Sequence, residues 1–464
     1  MAVKRETMSI VDTAWLRMEH PTNLMMITGI MIFETPLDFE RLREVVTNRL
    51  LPYGRFKQRV IRSKGGLRNP EWEDDPEFTL DNHLIKTSLI NEDSEEELHE
   101  SISQLMSSPL DYDRPLWHYH IVDNYRGGSV MIGRIHHCIG DGTALVRVLL
   151  SLTDNTPEDA VYSSNSNTSA SGRNKPANSF LGNIAAATEK AWRFGSHLLK
   201  QGKATIQQPA RIVTAAKMGA TGLGALGKLA LRSADPKTRF KGELGVQKLG
   251  VWSKPIPLDA IKEIGKATGG TVNDVLLTAM TGALRRYLEH HNEDTTKLNL
   301  RAAVPVNLRP MSNKIELGNK FGLVFPSLPV GIVEEKKRLR VLKNRMNKLK
   351  NSPEAMITLG ALNAAAIAPH EIQNFEINFL GAKTSAVMTN VPGPREIIYL
   401  AGAAIKDIIF WVPQSGRVAL GISIFSYAGK VVLGVASDVK RVPDPERILD
   451  AFHEEFDSLK KLIQ

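Results

Sequence analysis

The sequence predicts an α/β fold, an α+β sandwich of mixed sheets flanked by helices and built from two similar halves. Strand-like and helix-like stretches alternate along the chain. The same order of elements occurs twice. A polar stretch with almost no large apolar residues separates the two copies. Three segments follow: 1–153, a first half; 154–235, a linker with helical crossover; and 236–464, a second half.

Each element has a local reason. In the first copy an apolar strand, Met25–Glu34, meets Pro36-Leu37-Asp38, and a helix follows with Phe39, Leu42, Val45, Val46 and Leu50 inward. In the second copy Leu249–Ile256 meets Pro257-Leu258-Asp259, and a helix follows with Ile261 and Ile264 inward. Both Asp residues are natural N-caps. A hairpin comes later in each copy. Trp117–Val122 turns through Asn124–Gly128 into Ser129–Ile135, and Val418–Phe425 turns through Tyr427–Lys430 into Val431–Ala436. The last helix is expected to start with Asp444 as N-cap and Pro445 at its first position.

The chain has 464 residues, 42% hydrophobic and 23% charged, enough to bury a large core without staples. Its one cysteine, Cys138, excludes an intrachain disulfide, and no Cys/His spacing suggests a metal. No apolar run reaches the ~18–20 residues that cross a bilayer, and no signal-peptide core is present, so a cytoplasmic chain is expected. The formal net charge is +9, and much of it is local. Phe180 to Arg232 carries eight basic residues against Glu189 alone, beside Trp192, Phe194 and Leu198. An acidic partner such as a phospholipid surface fits that charge, as does a plain solvated helix face. Nucleic acid fits poorly, because no recognised fold motif or stacking aromatics accompany the charge.

The chemistry concentrates where the copies differ. The first hairpin runs into His136-His137-Cys138-Ile139-Gly140-Asp141-Gly142, and the second into Gly434–Asp438, so the repeated plan carries one site. These histidines sit at a strand-to-helix turn before a helix with Ala144, Leu145, Val148 and Leu149 apolar. Histidine takes and returns a proton near neutral pH. Adjacent histidines on a strand point to opposite faces, so one faces the cleft. Asp141 can cap the helix, and Gly142 is read as permitting the turn. Cys138 reads as a small buried hydrophobe. Thr271 and Asp274 form a capping box that leaves Asn273 in the first turn of a helix. Pro392-Gly393 reads as the centre of a type II turn.

The heptad His136–Gly142 resembles the HHxxxDG signature of the chloramphenicol acetyltransferase-like superfamily. Further segments resemble the bacterial wax ester synthase/diacylglycerol acyltransferase family: Pro115-Leu116-Trp117, Asn273-Asp274, Asn390-Val391-Pro392-Gly393-Pro394, Ser9 to Glu19, and Pro305 to Arg309. The resemblance spans nearly the whole chain. It implies two chloramphenicol acetyltransferase-like domains. It also implies transfer of a long-chain acyl group from acyl-coenzyme A to diacylglycerol or a fatty alcohol. His137 would be the general base, His136 and Asp141 its support, and Asn273 a candidate contact for the oxyanion. Pro115, Leu116, Trp117, Gly142, Asp274, Asn390, Pro392 and Gly393 would line or shape the substrate tunnel. Asp141 is expected to pair with an arginine such as Arg309. No cofactor is implied, since acyl-coenzyme A is a substrate. Peripheral attachment to the inner membrane face or to lipid inclusions is expected. Rival readings are a condensation-type enzyme acting on carrier-bound donors and a non-enzymatic lipid-surface protein.

Overall fold

The computed structural model describes residues 5–62, 69–158, 233–309, 315–350, 352, 354–367, 381–414 and 416–463. Most of the linker and all of the basic segment 180–232 lie outside the described residues. The first part contains β1 (Arg5–Thr7), α1 (Ile10–Met18), β2 (Met26–Phe33), α2 (Phe39–Val45), β3 (Gln58–Ile61), β4 (Glu71–Asp74), β5 (Leu84–Thr87), α3 (Glu95–Ser107), β6 (Trp117–Tyr125), β7 (Gly128–His136) and α4 (Gly142–Ser151). The second contains β8 (Lys248–Trp252), β9 (Ile256–Pro257), α5 (Leu258–Thr268), α6 (Val272–His290), β10 (Leu300–Asn307), β11 (Phe321–Val324), β12 (Ser327–Leu328), α7 (Glu335–Lys350) and α8 (Glu354–Ile367). It continues with β13 (Ala386–Pro392), β14 (Tyr399–Leu400), β15 (Ala403–Trp411), β16 (Leu420–Tyr427), β17 (Lys430–Asp438) and α9 (Glu446–Lys461).

Two large mixed sheets result. One has the order β14-β15-β2-β7-β6-β5, and the other runs β11-β10-β13-β16-β17-β8. Both expected hairpins form, β6–β7 and β16–β17. The second closes with φ of 45° at Ala428 and 76° at Gly429, the positive pair that matches strand twist in a two-residue turn. Each sheet has its own apolar cluster. Trp117, Met131 and Leu42 lie in one, and Leu433, Met280 and Phe452 in the other. A third cluster joins them, with Ile30, Ile132 and Trp411 against Val432 and Ala436. No helix among the described residues is long and apolar enough to cross a membrane.

The structure departs from the sequence reading at three elements. The segment 399–411 lies in the second half by sequence, inside 236–464. Yet β15 pairs antiparallel with β2, Ile409 opposite Ile30, and so extends the first sheet. The halves therefore share a sheet rather than merely touch. Asp38 caps α2, accepting from the N–H groups of Glu40 and Arg41, but Asp259 does not cap α5. Asp259 lies inside the first turn, 2.7 Å from Lys262 Nζ. Asp444 does not cap α9 either. Pro445 already has helical angles, and the Asp444 carboxylate accepts from the Tyr287 hydroxyl at 2.6 Å and pairs with Arg447 at 2.9 Å.

Candidate active site

Strand β7 ends at His136, and the next five residues turn into α4. The turn is held from several directions. The His136 N–H donates to Leu116 O at 3.0 Å, and the His137 N–H donates to Met25 O at 2.7 Å. Pro115, Leu116 and Trp117 are therefore core and anchor. Trp117 is fully buried, donates its indole N–H to Phe56 O at 2.9 Å, and stacks on His83.

Asp141 caps α4, accepting from Ala144 N–H at 3.0 Å. Its other oxygen accepts from Lys320 N–H at 3.0 Å and from the Arg309 guanidinium. The expected Asp141–Arg309 pair is present, and both residues are buried. Arg309 also donates to Gly318 O, and Gly318 N–H donates to Ile139 O at 2.9 Å. The stretch between β10 and β11 thus clamps the histidine turn of the first half. Gly142 does not make the turn, since its φ is not positive and a Cβ there would meet nothing.

His136 is fully buried and locked. Its Nδ1 accepts the Cys138 N–H at 3.0 Å, so Nε2 carries the proton and donates to Glu19 Oε2 at 2.8 Å. Burial alone would raise the Glu19 pKa. The hydrogen bond from His136, with help from Tyr112 and the Met25 N–H, outweighs it and holds the carboxyl below its usual range. His136 is committed to structure, leaving His137 for chemistry.

The His137 ring lies flat on Trp15, with centroids 3.9 Å apart and planes 13° apart, and near Phe321 at 6.1 Å. Only 8% of the residue is exposed. Burial pushes its pKa down to about 4, against the opposing charge of Asp141. The imidazole is neutral at pH 7, the form a general base needs. Cys138 is buried, and burial raises its thiol well above the usual range, which removes the thiolate a nucleophile requires. Cys138→Ala is expected to keep most of the activity, and a turnover assay on the purified variant checks this.

The remaining candidates form a second group. Asn390 Nδ2 donates to Asn273 Oδ1 at 3.1 Å, which joins the β13 segment to the start of α6. The Thr271–Asp274 capping box forms as expected. Pro392-Gly393 is not a type II turn. Strand β13 runs through Pro392, Gly393 lacks a positive φ, and its N–H donates to Ser426 O at 2.8 Å. Glycine is needed for space there, because a Cβ would sit 2.6 Å from the Ser426 carbonyl oxygen. Gly393→Ala should therefore cost about 1–3 kcal/mol, while Gly142→Ala should leave the melting temperature unchanged. Thermal melts of the two variants make the comparison.

Four side chains that no residue-level reading assigned to the site are central to it: Asp12, Trp15, Glu19 and Asn319. Asp12, whose hydroxyl partner Ser9 caps α1, accepts from the Asn319 N–H at 3.0 Å and from its side-chain amide at 2.7 Å. Three of them lie in Ser9–Glu19, a segment that carried the family resemblance, and Asn319 follows Gly318, whose φ is 89° in the structure.

The wax ester synthase/diacylglycerol acyltransferase catalytic domain matches residues 8–276, and the WS/DGAT C-terminal domain matches 317–460. Similar proteins include the probable diacylglycerol O-acyltransferase tgs1 of Mycobacterium tuberculosis (strain ATCC 25618 / H37Rv). It is 27% identical over 428 residues, covering 90% of this chain and 87% of that protein. The probable diacylglycerol O-acyltransferase tgs2 of the same strain is 26% identical over 470 residues, covering 97% and 98%. Among solved structures, the wax ester synthase/diacylglycerol acyltransferase from Marinobacter aquaeolei VT8 superposes with a TM-score of 0.68 at 20% identity. That match covers 98% of this chain and 99% of the other. The first condensation domain of the calcium-dependent antibiotic synthetase shares the fold, with a TM-score of 0.60 at 14% identity over 99% and 96%. With both domain models matched in order along the chain, the protein belongs to the wax ester synthase/diacylglycerol acyltransferase family and is an acyltransferase.

Proposed function

We propose that the protein transfers a long-chain acyl group from acyl-coenzyme A to diacylglycerol or a long-chain alcohol, with His137 as general base. The observation that carries this reading is the neutral, buried His137, stacked on Trp15 in a turn that both halves hold fixed. His137 Nε2 takes the proton of the acceptor hydroxyl as its oxygen attacks the thioester carbonyl. The tetrahedral oxyanion collapses and expels the coenzyme A thiolate, which receives the proton from the imidazolium. The products are an ester and free coenzyme A, and no acyl-enzyme is formed. General-base help of this kind contributes roughly 10²–10⁴-fold. Asn273, held by Asn390, is the proposed donor to the oxyanion.

The acceptor is drawn from a lipid surface. The segment 180–232 is one proposed contact. Helix α7 supplies another: Lys336, Lys337, Arg340 and Lys348 are exposed on it and make no ion pair among the described residues, while Leu339, Leu342 and Met346 face the core. Each basic residue near an anionic surface is worth up to about 1 kcal/mol and is screened by salt.

The test is mass analysis of products from purified protein given palmitoyl-coenzyme A with hexadecanol or with a diacylglycerol in vesicles. Ester formation with either acceptor is the expected result. Hydrolysis without ester would overturn the reading. Vesicle binding that does not fall with salt would overturn the lipid-surface part alone.

A further inference from the structure

The second half holds another pair of adjacent histidines. Helix α6 ends at His290, and His291 is its C-cap. Asp444 stands just before α9, and its Oδ1 lies 3.2 Å from His291 Nε2. That contact is long for a charge-assisted hydrogen bond, which is about 2.7–2.9 Å. It matches the edge of a tetrahedron of zinc ligands. With metal–nitrogen and metal–oxygen bonds of about 2.0–2.1 Å, neighbouring ligand atoms stand about 3.3 Å apart. The His290 ring stands edge-on to His291, with centroids 5.1 Å apart and planes at 86°. One ligand atom from each of the three residues lies within 4.8 Å of the other two, and a turn of the exposed His290 side chain closes the set. The carboxylate is oriented by its neighbours, as a metal-binding carboxylate is. Its Oδ1 accepts from the hydroxyl of buried Tyr287 at 2.6 Å, and Arg447 takes Oδ2 at 2.9 Å. The C-terminal end of α6 adds the partial negative charge of its last carbonyls, which favours a cation there.

We propose that His290, His291 and Asp444 bind a zinc ion that ties the end of α6 to the start of α9, with water completing the tetrahedron. Two imidazoles and one carboxylate are a donor set that suits zinc. The two helices share one apolar cluster, Met280, Leu284 and Leu288 with Ile448, Phe452 and Phe456. The metal closes that layer where α6 stops and α9 begins. Its role is structural, since all three ligands belong to the second half and none to the His137 turn. Residue spacing does not disclose the group, because Asp444 lies 153 residues beyond His291.

The test is titration of chelator-dialysed protein with zinc chloride and, in parallel, with cobalt chloride. One zinc per chain is expected at the tightest site, and cobalt there should show the intense visible absorption of a tetrahedral ion. His290→Ala removes an exposed ligand. A hydrogen-bond partner of a ligand is worth roughly 10- to 100-fold in metal affinity, so losing the ligand should weaken zinc binding at least that much. Zinc should raise the melting temperature of wild type and have little effect on His290→Ala, because an ion that binds only the folded chain stabilises it. Asp444→Asn should also weaken binding, and His290→Ala decides the matter if that variant fails to fold. Zinc affinity unchanged in His290→Ala would overturn the proposal and leave His291–Asp444 as a plain hydrogen bond. The weak absorption of octahedral cobalt, or a wild-type melting temperature that ignores zinc, would overturn it as well.

Discussion

His137→Ala should lower turnover by two to four orders of magnitude, the range that a positioned general base supplies. The fold should survive, because the ring packs on one partly exposed face of Trp15 and its side chain makes no tight internal hydrogen bond. The depressed pKa adds a pH signature. A ring with a pKa near 4 stays neutral well below pH 6, so the base should remain competent into mildly acidic solution. The sign for stability is the opposite of a paired histidine. The unfolded ring takes up a proton near pH 6.5 and the folded one only near pH 4. The folded state therefore loses stability as pH falls through that window, by up to roughly 3 kcal/mol. His137→Ala should remove this component of acid unfolding, which urea melts at pH 7 and pH 5 would read. Near-normal turnover in a folded His137→Ala protein would end the proposed mechanism.

Asp141→Ala should cost far more than a helix cap. A lost cap alone is worth about 1 kcal/mol. Here the same carboxylate also pairs with Arg309 and accepts the Lys320 N–H. Its removal leaves a guanidinium buried without a counter-charge, and breaking such a pair costs about 3–5 kcal/mol. Asp141→Asn keeps a cap and an acceptor and should lose less. Activity should fall with stability in both, because the clamp places the His137 turn. The pair Asp141→Ala with Arg309→Leu should be more stable than Asp141→Ala alone. Melting curves of Asp141→Ala, Arg309→Leu and the pair check the coupling, and additive losses would contradict a shared buried pair.

How much of this the sequence disclosed depends on distance along the chain. The hairpins, the caps at Asp38 and Asp141, and the Thr271–Asp274 box are local, and residue spacing specifies them. The place of β15 in the first sheet is not local. Neither the strand nor its partner was read from Ala403–Trp411, whose apolar residues do not alternate; pairing with β2 spans more than 370 residues, and periodicity does not name a partner. Pro445 and Pro257 displaced the expected caps because a proline with helical or pre-helical angles starts the helix itself. The histidine turn and its Asp141–Arg309 clamp were legible because His136–Gly142 is dense in chemistry. Glu19, Trp15 and Asn319 were not, because each reaches the site from another element and looks ordinary in its own. Glu19 ends an amphipathic helix, and Asn319 follows a glycine.

The central claim is that the acyl group passes directly from thioester to alcohol while one neutral imidazole takes and returns the proton. Rapid-quench measurement of coenzyme A thiol and ester together tests it most directly. No stoichiometric release of thiol is expected when protein meets palmitoyl-coenzyme A alone. Thiol and ester should then appear with one rate constant once hexadecanol is added. A burst of one thiol per protein before any acceptor is present would contradict it.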